Sequence, residues 1–243
     1  MQIIFSSIIG IFSYQIALFG LVAFLLYLGA WDFLPLHINS REVTATTFYS
    51  IIVNLCIMLL FGLHHSLAAR PRFKQFLAKL IPMSVERSIY VGISGLFMFV
   101  ICLFWQPLAG NVWSTDNTGA FVIFKAIHLT GWLVLVIATF ELDHSHLMGL
   151  QQSLKLKSAE QGILKERFLY RIVRHPIQTG LLIVLWSTSQ MSNTQFMLAT
   201  SLTVYIFIGL YFEEKALVAQ FGDAYKNYKK RVPSVIPFWP RKR

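Results

Sequence analysis

Two adjacent histidines, His64 and His65, followed by Ser66, close one apolar stretch of the chain, and other residues able to carry charge or move protons gather at similar boundaries. Glu86, Arg87 and Tyr90 open the next stretch; Glu141, Asp143, His144 and His146 end the one after it; Arg174, His175 and Pro176 begin a further one that Glu213 and Glu214 close. An imidazole with an unperturbed pKa of about 6.5 exchanges protons at neutral pH, and carboxylates beside an arginine can hold charged ligands. Helical spacing sets Glu86 near Tyr90 and Glu141 near His144. Metal chemistry is not expected: there is no H-E-x-x-H or paired-cysteine spacing, and two histidines two apart on a helix point roughly 200° from each other. Only a helix that had already ended at His144 would change that. Interfacial anchoring and loop ion pairs account for any one of these residues, but their gathering on one side favours a site.

The elements that must position them are long and apolar: Ile3 to Leu28, Thr47 to Leu67, Tyr90 to Phe104, Phe121 to Phe140, and the region Ile177 to Phe212. A bilayer span needs about 20 residues, and hydrocarbon tolerates no unpaired backbone, so helices are required. Hydrophobic residues form 56% of the chain and charged ones 13%, too few charges to coat these stretches as a soluble domain would, where about 25% is usual. The charge is segregated. Arg70, Arg72, Lys74, Lys79 and Arg87 form one basic group, Lys155, Lys157, Lys165, Arg167, Arg171 and Arg174 a second, and the tail from Lys215 to Arg243 a third. The connections 29–46 and 106–120 hold Arg41 with Asp32 and Glu42, and Asp116 alone. Basic loops stay in the cytoplasm, so both termini are expected there, in a bacterial inner membrane. The net charge of +10 then reports topology, with a contribution from membrane lipid, and no soluble module exists to bind nucleic acid. The first stretch has neither a basic n-region nor a cleavage site and reads as a retained helix, and Cys56 and Cys102 read as small apolar residues.

The expected fold is all-α and polytopic: four transmembrane helices, a C-terminal helical hairpin and a cytoplasmic amphipathic tail, in a single domain over 1–243. The second helix should run from about Thr44 into Ala69, stopping before Arg70-Pro71; the third should start beyond Pro82 with Ser84 as cap; the fourth should reach Glu141 to His146. From Arg174 the first hairpin arm is short, roughly 20 Å of helix against a core of about 30 Å, so the turn sits near the far face or within the membrane. The apolar part of the second arm runs to Phe212, and Glu213 and Glu214, adjacent on a helix, mark its return to the cytoplasm. Phe221, Tyr225 and Tyr228 share one helical face and suit an amphipathic segment at the interface or over the polar cluster.

Arg174-His175-Pro176-Ile177-Gln178-Thr179-Gly180, then Glu213-Glu214-Lys215-Ala216-Leu217, then Phe221-Gly222-Asp223-Ala224-Tyr225-Lys226-Asn227-Tyr228 before Val232-Pro233, resemble the cofactor half of the isoprenylcysteine carboxyl methyltransferase-like membrane methyltransferases. Upstream, His65-Ser66, Ala69-Arg70-Pro71, Phe73-Lys74, Pro82, Glu86-Arg87-Ser88, Tyr90-Val91 and Trp105-Gln106-Pro107 resemble bacterial methanethiol S-methyltransferases, with the NnrU proteins more distant. The resemblance implies S-adenosylmethionine (SAM) held by a cofactor half at about 165–243. Arg174 and His175 would lie near the cofactor, Pro176 and Gly180 would shape the way in, and Glu213 or Glu214 with Tyr225 and Tyr228 would line the pocket. Gln178 stands where the superfamily often has tyrosine. Near the end of the fourth helix the relatives tend to read N-H-F-D-L-F-G; here Asp143-His144-Ser145-His146-Leu147-Met148-Gly149 keeps the histidine and replaces the acid by His146.

The implied reaction is methyl transfer to a small apolar thiol, most simply methanethiol, with no obligate protein partner. A thiol attacks as thiolate, and a small alkyl thiol is less acidic than a cysteine of pKa about 8.5, so proton removal is needed. His65 is the leading base, His144 the second, and Tyr90 a polariser; Arg174 suits the cofactor carboxylate. The alternatives are a methyltransferase acting on a longer lipid-like or isoprenyl acceptor, which needs a lateral opening, and a non-enzymatic NnrU-like accessory protein.

Overall fold

The chain is described here by a computed structural model covering residues 2–68, 70–156 and 164–237. Ala69, Lys157 and Arg241 to Arg243, on which some expectations rest, lie outside the described residues.

In chain order the elements are α1 (Gln2–Leu28), α2 (Thr47–Ala68), α3 (Pro71–Leu77), α4 (Met83–Phe104), β1 (Asn111–Ser114), α5 (Thr118–Glu141), α6 (His144–Leu147), α7 (Leu150–Ser153), α8 (Leu169–Ile172), α9 (Pro176–Trp186), β2 (Gln190–Ser192), α10 (Asn193–Phe221) and α11 (Asp223–Arg231). Among the described residues five helices, α1, α2, α4, α5 and α10, are long and apolar enough to cross a membrane. Their outward side chains include Phe12, Phe19, Phe48, Leu59, Leu133 and Phe140, all largely exposed. A surface of that kind is a surface for lipid. The molecule is therefore an all-α polytopic membrane protein, with one small departure: β1 and β2 pair into a two-stranded sheet that was not expected. The pairing is antiparallel, with Asn193 N donating to Gly110 O at 2.9 Å and Thr115 N to Ser189 O at 3.1 Å, and it satisfies backbone groups at which α4 and α9 have ended.

The chain divides into two compact units. The first comprises 1–113, 143–159 and 191–197. In it α1 packs along α4, and α7 lies against both. The approach of α1 to α4 is close because glycine faces backbone: a Cβ on Gly20 would stand 2.4 Å from the Gly95 carbonyl oxygen. Three expectations are corrected here. Ser84 does not cap α4, whose N-cap is Pro82; its hydroxyl meets Ser6 Oγ at 3.1 Å instead. The stretch after Arg70 is not a plain basic loop, since Pro71 starts the short helix α3, where a missing N–H costs nothing. The fourth long helix does not reach His146. It ends at Glu141, and Asp143 takes the left-handed conformation at φ 83°, accepts a hydrogen bond from His146 N at 3.1 Å and starts the separate turn α6. Glu141 and His144 therefore do not share one continuous helix.

The second unit comprises 114–142, 160–190 and 198–243. Asn117 opens α5 by accepting from Ala120 N at 2.9 Å. Helix α9 then packs on α5 through Gly131 and Gly180, where a Cβ on Gly180 would lie 2.6 Å from the Gly131 carbonyl oxygen. Helix α9 has 11 residues, roughly 16 Å, whereas α10 has 29, roughly 44 Å. Beyond Phe212, α10 carries Glu213 and Glu214 within its length and ends at Phe221, before Gly222 at φ 55°. That break puts Phe221 and Tyr225 on different helices, and the pair meets by packing. Tyr225, Tyr228 and Val232 form a buried cluster with Leu164, Leu217, Val218 and Phe221 against it. The tail's aromatic face is thus turned to protein, where the sequence had left it at a lipid interface or over the polar cluster.

Candidate functional site

Pro176 is the first residue of α9, and a proline excludes the helical conformation from the residue before it. His175 and Arg174 accordingly lie outside the helix, with backbone N–H groups that no helix can satisfy. The tail supplies the acceptors: Arg174 N donates to Pro233 O at 2.9 Å and His175 N to Ser234 O at 3.1 Å. The Thr179 hydroxyl donates to Val235 O at 2.8 Å. The segment 233–235 is thereby laid along the start of α9.

The side chains complete the knot. Arg174, 8% exposed, donates through Nε to Glu214 Oε1 at 2.9 Å and through Nη2 to the same oxygen. Its Nη1 donates to the carbonyls of Val232 and Lys229, so the fork joins α10 to the end of α11. His175 is 4% exposed and places Nε2 3.2 Å from Glu214 Oε1 and Nδ1 3.9 Å from Glu213 Oε2. Lys229 Nζ reaches Glu214 Oε2 at 2.6 Å. Glu214 therefore faces inward to three basic side chains, while Glu213, turned by about 100° on the same helix, is half-exposed. That rotation turns Glu214, and not Glu213, to Arg174.

Tyrosines border it. Tyr228 donates its hydroxyl to Tyr170 O at 2.5 Å, and Tyr170 donates to Ala138 O of α5 at 3.5 Å. The Tyr225 side chain is buried, yet its hydroxyl has no hydrogen-bond partner. Burial pushes its phenol up to about 12, with Glu214 adding to the shift and Arg174 opposing it. A buried hydroxyl without a partner costs about 1–3 kcal/mol, which a bound ligand would relieve. Pro176 and Gly180 are buried in α9 and Gln178 is half-buried. Gly180 is taken up by the contact with α5, a packing role.

In the first unit α2 and α4 bring His65 and Tyr90 together. Tyr90 Oη lies 3.0 Å from His65 Nδ1 and 3.1 Å from Nε2. Phe61 stacks on His65 with ring centroids 5.5 Å apart, and His64 stacks on Phe97 at 5.4 Å. Ser94 Oγ donates to Tyr90 O at 2.9 Å and lies 3.4 Å from His64 Nε2. The result is a hydrogen-bonded imidazole and phenol set among aromatic rings, an arrangement suited to taking one proton and little else. His144 stands elsewhere in this unit, edge-on to Tyr14, with Nε2 3.2 Å from the phenol oxygen. Desolvation lowers its pKa, against the pull of Asp143. His146, at the position of the relatives' acid, has Nδ1 3.0 Å from both Gln151 Oε1 and Gln152 Nε2. Glu86 is buried and pairs with Lys74 at 3.6 Å.

Several participants went unmarked in the sequence. Ser94 is four residues beyond Tyr90 and so was findable from helical spacing. Lys229 and Tyr170 were not, because each reaches its place through the return of the tail or the turn at 168–170; Glu141 was marked as a charged helix end, and only the structure shows that its Oε2 is without a partner. Among the described residues no group of three or more His, Cys, Asp and Glu side chains is placed to hold a metal ion.

Comparison with known proteins gives a consistent picture. The phospholipid methyltransferase family (PEMT) matches residues 120–224. The chain is 37% identical to methanethiol S-methyltransferase 2 of Bradyrhizobium diazoefficiens over 77% of its own length and 73% of that protein's. It is 33% identical to the methanethiol S-methyltransferase of Crocosphaera subtropica over 98% of its length and 94% of that protein's. A weaker likeness, 28% over 64% of this chain and 63% of the other, connects it to Nurim of Bos taurus. No solved structure matches.

Proposed function

This chain belongs to the methanethiol S-methyltransferase family of membrane methyltransferases, and from that premise we propose that it methylates methanethiol with S-adenosylmethionine, giving dimethyl sulfide. It is a multi-pass membrane enzyme using SAM, and its acceptor is a small apolar thiol.

The observation that carries the reading is the convergence of the two motifs that mark the cofactor half. Arg174-His175 and Glu214 are far apart in sequence and form one buried charged knot, closed by the tail. When bound, SAM supplies a methyl group on a positively charged sulfur. Its other end carries an ammonium and a carboxylate, and the second unit has groups for each: Glu213 is half-exposed, and the Tyr225 hydroxyl is buried without a partner. These residues fit such a ligand. Arg174, His175, Pro176, Gln178, Gly180, Glu213, Glu214, Tyr225 and Tyr228 constitute the cofactor half, about 165–243. Arg174 acts there by holding Glu214 and the tail in place, since its fork is already engaged by them.

His65 takes the proton of the thiol, and Tyr90 orients the imidazole that receives it. Phe61 and Phe97 keep water from the pair and give a methyl group an apolar wall. One CH₂ is worth about 0.8 kcal/mol, so a molecule as small as methanethiol binds weakly and selection rests on fit. His144 is the second candidate for the base. Purified protein given methyl-labelled SAM and a set of thiols is expected to label methanethiol with a clear preference over long-chain and isoprenyl thiols and over phospholipid. Preference for a lipid acceptor would move the chain to the phospholipid branch that the family match also allows. No labelled product from any acceptor would sink the enzymatic reading.

The protein lies in the bacterial inner membrane with both termini in the cytoplasm. Five long helices alone would leave the termini on opposite sides, but α9, at roughly half the thickness of a hydrocarbon core of about 30 Å, adds a descending arm that α10 follows back. Topology reporters fused at Asn39 and Asp116 should read outside and one at Lys157 inside; the reverse pattern would overturn this orientation. Membrane lipid is its surroundings, and no protein partner is needed for the chemistry.

A further inference from the structure

We infer that Glu141, at the end of α5 and bonded to the turn that carries Tyr170, is a cofactor-binding residue that receives a positive charge of SAM. The inference rests on the SAM reading above.

Glu141 belongs to none of the motifs that mark the cofactor half. Its Oε1 accepts from Leu169 N at 3.4 Å, at the start of α8, while its Oε2 is buried and has no hydrogen-bond partner. Lys165 donates to Leu142 O at 3.1 Å, and no salt bridge to Glu141 forms among the described residues. Arg174 and Lys229 are both turned to Glu214. The α8 turn links Glu141 to the knot: Tyr170 follows Leu169, bonds Ala138 one turn before Glu141, and accepts from Tyr228 of the tail.

Electrostatics point the same way. The Tyr170 phenol is raised first by burial and then by the charges of Glu141 and Glu213, so both carboxylates act on it. Tyr225, buried with an unpartnered hydroxyl, senses Glu213 as well as Glu214. A buried carboxylate oxygen without cation or donor is costly to keep, so its retention calls for an occupant. A carboxylate oxygen without a protein cation, close to a tyrosine, suits an organic cation, to which an aromatic ring contributes through its negative face. SAM carries two such charges, a sulfonium and an ammonium.

The test is calorimetric and uses the full-length protein in lipid nanodiscs. Glu141→Gln keeps an oxygen for Leu169 N and removes the charge, so SAM affinity should fall about tenfold or more while unliganded Tm holds or rises. A merely structural carboxylate would instead lower Tm. S-adenosylhomocysteine, which lacks the sulfonium charge and keeps the ammonium, distinguishes the two cations. An equal loss for both ligands assigns Glu141 to the ammonium, and a loss confined to SAM assigns it to the sulfonium. Glu141→Asp, which keeps the charge one methylene further back, should lose less affinity than the glutamine variant. Wild-type affinity in folded Glu141→Gln overturns the inference; should Glu141→Gln not fold, Glu141→Asp binding SAM no less tightly than the wild type overturns it. If the wild-type protein itself binds no SAM, the parent reading fails, a distinct result.

Discussion

Replacing Arg174 with alanine should destabilise the protein by about 3 kcal/mol and weaken SAM binding at least tenfold, because one side chain serves both ends of the knot. Its guanidinium is 8% exposed and joins Glu214 of α10 to the carbonyls of Lys229 and Val232. Removing it leaves those carbonyls without a donor and Glu214 with His175 and Lys229 alone. The segment 233–235 would then be held by the backbone bonds at residues 174 and 175 and the Thr179 hydroxyl. Arg174→Lys restores the charge without the fork and should recover only part of either loss. Thermal unfolding in detergent and calorimetry with SAM measure the two effects separately. An alanine variant with wild-type Tm and wild-type affinity would remove the knot from both stability and binding.

His65→Ala carries the other large effect, on rate. General-base assistance is typically worth 10² to 10⁴ in rate, so turnover at pH 7 should fall by about 10²-fold or more with SAM affinity nearly intact. The pH dependence gives the sign. A small alkyl thiol ionises unaided only above about 8.5, so the deficit should shrink as the assay pH is raised through that range. Tyr90→Phe, which removes the partner at 3.0 Å and leaves the imidazole, should show the same trend with a smaller loss. A folded His65→Ala protein with near-normal turnover at pH 7, or with one constant deficit at every pH, would pass the role to His144. That residue stands against Tyr14, outside the long helices, where desolvation also favours its neutral form.

The two effects separate what is local from what is assembled. His65 and Tyr90 could be paired from position alone, since each lies at the end of an apolar stretch on the same charged side. Ser94 follows from Tyr90 by one helical turn. The Arg174 knot could be anticipated only as a set of participants. Its geometry depends on α10 running on to Phe221 and on the break at Gly222, and neither follows from hydropathy once Glu213 and Glu214 interrupt the apolar run. Glu141 shows the limit most plainly. As one carboxylate at a helix end it reads as an interfacial anchor, and it stands out only when its Oε2 is found buried without a partner.

By itself the sequence determined that the chain lives in a membrane, that its long elements are helices and which ends of them are charged. Those properties are sums over neighbouring residues: span length, apolar fraction, the excess of lysine and arginine, and the restraint that Pro176 places on His175. The tertiary structure alone decided that Glu214 is the glutamate turned to Arg174, that the tail's tyrosines face protein, that α5 stops at Glu141, and that Gly180 is required where α9 meets α5. Each of these depends on a pair of groups far apart in the chain. A side chain's direction on a helix is set to within about 100° per residue by the helix itself, but what stands opposite it is set by packing.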